Sequence, residues 1–135
     1  MDTTTPRGIR LNNPLNIRKS SNQWDGKVIP SSDEEFEEFA TIEHGIRAAI
    51  KIVHTYVRKH GCRTIEDIIK RWAPPSENNT KRYIDFVEAR TGINRYNEIN
   101  ITDKREVAAI LQAMTMMEVG RELPIIFYYH AFDMI

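Results

Sequence analysis

The chain has 135 residues, enough for one domain that buries roughly two thirds of its unfolded surface. Lys and Arg number 19 against 19 Asp and Glu, a balance that gives a nucleic-acid partner no electrostatic support. Cys62 is the only cysteine, which excludes an intrachain disulfide and a cysteine-based zinc site, and no apolar run approaches the ~20 residues of a membrane span.

The opening Met1–Pro6 has neither a basic stretch nor an apolar one, so no signal peptide is expected. Residues 1–40 are punctuated by Gly8, Asn12, Asn13, Pro14, Asn16, Asn22, Gly26 and Pro30, which predicts loops with brief strands. Asn13-Pro14 initiates a turn, and Asp25-Gly26 after Trp24 signals a hairpin. Asn16–Lys19, Lys27–Ile29 and Glu35–Ala40 are expected to be short extended segments. Charge is unevenly placed here. Arg7, Arg10, Arg18, Lys19 and Lys27 precede an acidic run from Asp33 to Glu43, so two neighbouring surfaces of opposite sign are expected.

From Thr41 the period becomes helical. Ile46, Ala49, Ile50, Val53 and Val57 form one stripe, with Gly61 as its stop. Glu43 in the first turn favours the helix dipole and is placed to pair with Arg47 at i+4. Thr64-Ile-Glu-Asp67 resembles a capping box and opens a short helix carrying Ile65, Ile68, Ile69 and Trp72 on one side. Tyr83, Phe86, Val87 and Arg90 mark the next helix, stopped at Gly92. Asp103-Lys-Arg-Glu106 opens another, through Val107, Ile110, Leu111 and Met114 to Gly120. Pro124 suits the first turn of a last helix over Leu123–Phe132, apolar on most sides and therefore central. The expected fold class is mainly α (α+β). A small irregular β lobe over 1–40 precedes about five helices over 41–135, in a single domain spanning 1–135.

The connector Trp72-Ala-Pro-Pro-Ser-Glu77-Asn78-Asn79-Thr80 places an indole, a stiff diproline and a run of polar side chains between two helices. A ring beside amides and a carboxylate suits a sugar-binding cleft. The same residues also suit a plain joint in which Asn79 or Thr80 caps the next helix.

Three further stretches complete a pattern: Gly8-Ile-Arg-Leu-Asn-Asn-Pro14-Leu-Asn16-Ile-Arg18, Trp24-Asp-Gly26 with Phe36 and Phe39, and Gly45-Ile-Arg47-Ala48. With Trp72–Thr80 and Tyr83-Ile84, they resemble phage and prophage virion proteins of lysozyme-like fold, the structural-protein-P5-like group. The resemblance covers roughly residues 7–93. A more distant similarity runs to cell-wall glucosaminidases and lytic transglycosylases. Together these imply a lysozyme-like fold and a cleft that accommodates the glycan strands of peptidoglycan. They also imply location in the virion, or in the bacterial cytoplasm or periplasm, with other virion proteins as further partners. One departure stands out. In those enzymes the acid glutamate closes a helix upstream of the Asn-rich segment, whereas here only Met1–Arg7 precede it, so the family's glutamate has no matching position.

Glycoside cleavage needs a protonated acid at the leaving oxygen. A second carboxylate usually stands about 5–5.5 Å away for retention or about 6.5–9.5 Å away for inversion. The run Asp33-Glu34-Glu35-Phe36-Glu37-Glu38-Phe39 is the densest supply. Extended, it puts Glu35, Glu37 and Phe39 on one face and Glu34, Phe36 and Glu38 on the other. Glu35, Glu34 and Glu77 are therefore the candidate acids, and a solvated edge that resists strand pairing is the alternative for the first two. Trp24, Trp72, Asn78, Asn79, Tyr83, Asn13 and Asn16 are the candidate substrate-binding residues. Core packing of the rings and local turn bonds of the asparagines are the competing uses. His44, His54, His60 and His130 lack metal-ligand spacing, so neither a metal nor a cofactor is expected. Two functions follow. One is cleavage of the glycan strand between amino sugars, and the other is a non-catalytic virion or glycan-binding module.

Overall fold

The structure, a computed structural model, describes residues 5–135. Met1–Thr4, which carry most of the expectation about a leader, lie outside the described residues. The described chain is mainly helical: α1 (Arg7–Arg10), α2 (Ile42–Lys59), α3 (Ile65–Trp72), α4 (Thr80–Thr91), α5 (Lys104–Val119) and α6 (Ile125–Asp133). Among the described residues no helix is long and apolar enough to cross a membrane.

Helices α2 to α5 each begin where a short polar side chain can satisfy free N–H groups. Thr41 Oγ1 accepts from His44 N at 3.1 Å, Thr64 Oγ1 from Asp67 N at 3.2 Å, and Asn79 Oδ1 from Arg82 N at 3.1 Å. Asp103 Oδ1 accepts from both Arg105 N and Glu106 N. The expected stops also hold, since Gly61, Gly92 and Gly120 all take positive φ just past a helix end. Two expectations need correction. Pro124 lies before α6 rather than inside it, because its ψ of 137° is extended. Arg47 reaches not Glu43 but Asp25, at 3.2 Å, which joins α2 to the hairpin after Trp24.

Residues 5–40 form an arm of loops around the short α1, and the expected β lobe is barely present among them. Arg18↔Phe36 and Lys27↔Phe39 are isolated antiparallel bridges. The segment Glu35–Ala40 runs between the other two, with Glu37 N donating to Ile17 O at 3.0 Å and Val28 N to Glu38 O at 2.8 Å. No ladder develops, because Asn12 and Asn16 are left-handed and Gly26 turns the chain at φ 76°. The even-odd pattern fails for the same reason, and both Phe36 and Glu37 are buried. Glu37, 1% exposed, pairs with Lys27 Nζ at 3.0 Å. The basic and acidic runs do face each other, through Arg7–Asp33, Arg7–Glu35 and Arg18–Glu35 as well.

Leu15, Ile17 and Phe39 of the arm enter the same apolar cluster as Ile46 and Ile50 of α2, Ile68 of α3, Val87 of α4, Leu111 and Met114 of α5, and Tyr128 of α6. Asn13 locks the arm to this core. Its side chain is fully buried, donates to Ile17 O and Glu37 O at 2.9 Å each, and accepts from Ile17 N at 2.9 Å. Replacement Asn13→Ala strands Ile17 N and Glu37 O, while Ile17 O keeps its bond from Glu37 N, and is expected to cost about 3 kcal/mol. In thermal unfolding, that loss lowers the midpoint by roughly 10 °C. A second test concerns pH. Burial lowers the His54 imidazole below its ordinary 6.5, with Arg58 and Lys51 acting the same way against a hydrogen bond to the Ile101 backbone. The unfolded chain therefore takes up this proton more readily than the folded one. The contribution of neutral His54 is present above about pH 6.5 and is lost as pH falls through the folded value. A His54→Gln variant should unfold with a flatter pH dependence below pH 6.5 than the parent chain.

Candidate functional site

The turn that follows α1 builds one wall of the site. Asn12 and Asn16 sit at φ 54° and 53°, a region that asparagine tolerates better than most residues. Asn12 Nδ2 ties this turn to Phe39 O at 3.0 Å. Helix α2 packs so closely beneath that a Cβ on Gly45 would lie 2.0 Å from the Asn12 carbonyl oxygen. These constraints aim the Asn16 amide at the far end of α5. There Nδ2 donates to the carbonyl oxygen of Glu118 at 3.2 Å and to its Oε1 at 3.1 Å.

Between the arm, α2, the end of α3 and the connector lies a groove of about 350 Å³. Asn16, Arg18, Trp24 and Phe36 line the arm side, Tyr56 and Trp72 the helical side, Glu77 and Asn78 the connector, and Glu118 joins them from the last turn of α5. Tyr56 and Trp72 meet edge to face, ring centroids 6.1 Å apart. A smaller hollow of about 250 Å³, lined by Arg7, Gly8 and Val119, shares Asn16, Phe36 and Glu118 with it. The two hollows therefore meet around Asn16, Phe36 and Glu118.

Glu118 is largely removed from water, and this burial raises its carboxyl above the ordinary 4.5. Hydrogen bonds from Tyr83 and Asn16 and the charge of Arg18 oppose the rise without cancelling it. Tyr83 Oη donates to Glu118 Oε2 at 2.9 Å, and burial together with the neighbouring carboxylate pushes that phenol well above 10. The end of a helix is also an unfavourable place for an anion, because the last carbonyls point there. A carboxyl whose pKa burial raises, beside two open hollows, has the character of a proton donor toward a bound ligand.

Of the acids expected from sequence, Glu77 lines the groove from the exposed connector. Glu35 does not line it; it is solvent-exposed and pairs with Arg18 at 3.3 Å and Arg7 at 3.9 Å. Glu34 is exposed and lines neither hollow. Trp24, Trp72, Asn16 and Asn78 come together on the groove. Three others do not. Asn13 is consumed by the arm's backbone. Asn79 caps α4 and faces a separate hollow lined by Lys70, Lys81 and Arg95. Tyr83, 5% exposed, stands behind Glu118 and holds it rather than lining the open space. Glu118 itself was missed. It lies in the last turn of α5 and meets Asn16 of the Asn-rich segment, from downstream in the chain. An acid in the last turn of a helix, against the dipole and two residues before Gly120, was the available signal.

These features define a mainly helical protein whose ordered arm closes a ring-lined groove over a desolvated carboxyl. No family model matches the chain. It is 47% identical over 117 residues to Protein P5 of Pseudoalteromonas phage PM2, a match covering 84% of this chain and 71% of that protein. The chain belongs to the family of this phage protein.

Replacement Glu118→Gln tests the carboxyl without emptying its place. An amide can accept from Asn16 and donate to Tyr83 Oη, which then turns its proton to Met114 O, 3.4 Å away. Because the folded carboxyl holds its proton to higher pH than the unfolded one, its contribution to stability is lost as pH rises through the folded value. The variant is expected to unfold at a higher temperature than the parent at pH 8, with the difference shrinking at pH 4. Scanning calorimetry at both pH values checks this.

Proposed function

We propose that this protein is a virion-associated phage component of lysozyme-like, single-domain architecture that cuts peptidoglycan glycan strands, with Glu118 as the general acid. One observation carries the reading: a desolvated carboxyl, held from behind by Tyr83 and from the side by Asn16, at the junction of a groove lined by two indoles. In this reading Trp24 and Trp72 stack on sugar faces, and the Asn16 and Asn78 amides contact N-acetyl groups. Tyr83 is a positioning residue. The other lining carboxylate, Glu77, belongs to the connector and in this reading acts on water or on developing positive charge. Other virion proteins would hold the molecule in the particle.

A second reading, a glycan-binding virion module without catalysis, draws on the two hydrogen bonds that make Glu118 a joint between arm and bundle. The readings separate on purified sacculi. If the acid assignment is right, the parent chain releases soluble fragments and Glu118→Gln lowers that rate by about 100-fold or more, the usual scale of a lost general acid. Sedimentation with sacculi, without release by either chain, supports the binder.

A further inference from the structure

We propose that Arg7 and Arg18 form a carboxylate-reading pair astride the groove, so that the ligand is an acidic glycan rather than a neutral one. This rests on the groove being the glycan site. Phe36 is only 8% exposed, and its ring carries both guanidinium groups, with their central carbons 4.2 Å and 5.5 Å from the ring centroid. Arg18 lines the larger hollow and Arg7 the smaller, so one cation lies on each side of Glu118. Stacking on an aromatic face orients a guanidinium and leaves its N–H edge free for a carboxylate.

That edge already meets a carboxylate. Glu35 lies 3.3 Å from Arg18 and 3.9 Å from Arg7, and its side chain is 56% exposed. Asp33, also near Arg7 at 3.6 Å, is engaged otherwise, since its Oδ2 accepts from Glu35 N and Phe36 N at 2.9 Å each. Glu35 has no such backbone tie. Exposed ion pairs of this kind contribute little to stability, so a ligand carboxylate can take the place of Glu35 at small cost. Glu35 is thus an internal stand-in for the ligand's acid group. A strand lying across both hollows would present its carboxylates, on sugar ethers or on attached peptides, to this pair.

Binding of the full chain to sacculi, and to the same sacculi with their carboxyl groups converted to amides, tests the pair. The expected preference for untreated sacculi is about tenfold at low salt, shrinking as salt rises. With Arg7→Gln and Arg18→Gln together, the preference should fall to near one. With Glu35→Gln, affinity for untreated sacculi should rise about threefold as competition is removed. A parent chain without preference, or a preference that survives loss of both arginines, overturns the pair. If fragment release still depends on Glu118, only the pair falls. If release and binding are both indifferent to Glu118→Gln and Asn78→Ala, the groove reading falls with it.

Discussion

The joint between the Asn16 amide and the Glu118 carboxyl holds the arm onto the helical bundle at the site. It links residues 102 positions apart in the chain, and Tyr83 of α4 completes it from the other side. Without it, the arm would remain tied by its apolar residues, but the groove would lose the contact that sets its depth. The joint is costly in isolation, since it withdraws an ionisable group from water at the unfavourable end of a helix. Two donors on the two carboxylate oxygens offset that cost. Structure and chemistry draw on the same atoms here.

The arm achieves order without regular strands. Where a sheet would use repeated backbone pairs, this segment uses side chains. Asn13 bonds three backbone groups, Asn12 reaches Phe39, and Lys27 Nζ donates to Ser20 O and Asn22 O at 2.9 Å each while pairing with the buried Glu37. A buried ion pair is weak evidence for stability by itself, yet removing either partner would leave a bare charge inside the arm. Lys27 is therefore better understood as the pin of the loop that carries Trp24 to the groove.

Much of the helical part was legible. Thr41, Thr64 and Asp103 are short polar residues before apolar periods, and such local signals need no tertiary information. The groove was partly legible too. Trp72 and Asn78 sit on a connector whose composition suggested a ligand surface, and Trp24 sits beside a hairpin signal. Asn13 and Asn16 looked alike in sequence, yet one is sealed in the interior and the other meets Glu118, a difference set by packing against α2 and α5. The acidic run drew attention through its density, whereas density favours solvation. Glu118 is one of two glutamates on α5, and its setting depends on Asn16, 102 residues earlier.

That chain-spanning contact has a temporal corollary for synthesis. The carboxyl leaves the ribosome 102 residues after the Asn16 amide that it meets. A nascent chain can therefore display the Asn-rich arm well before the carboxyl that clamps it onto the bundle has been made.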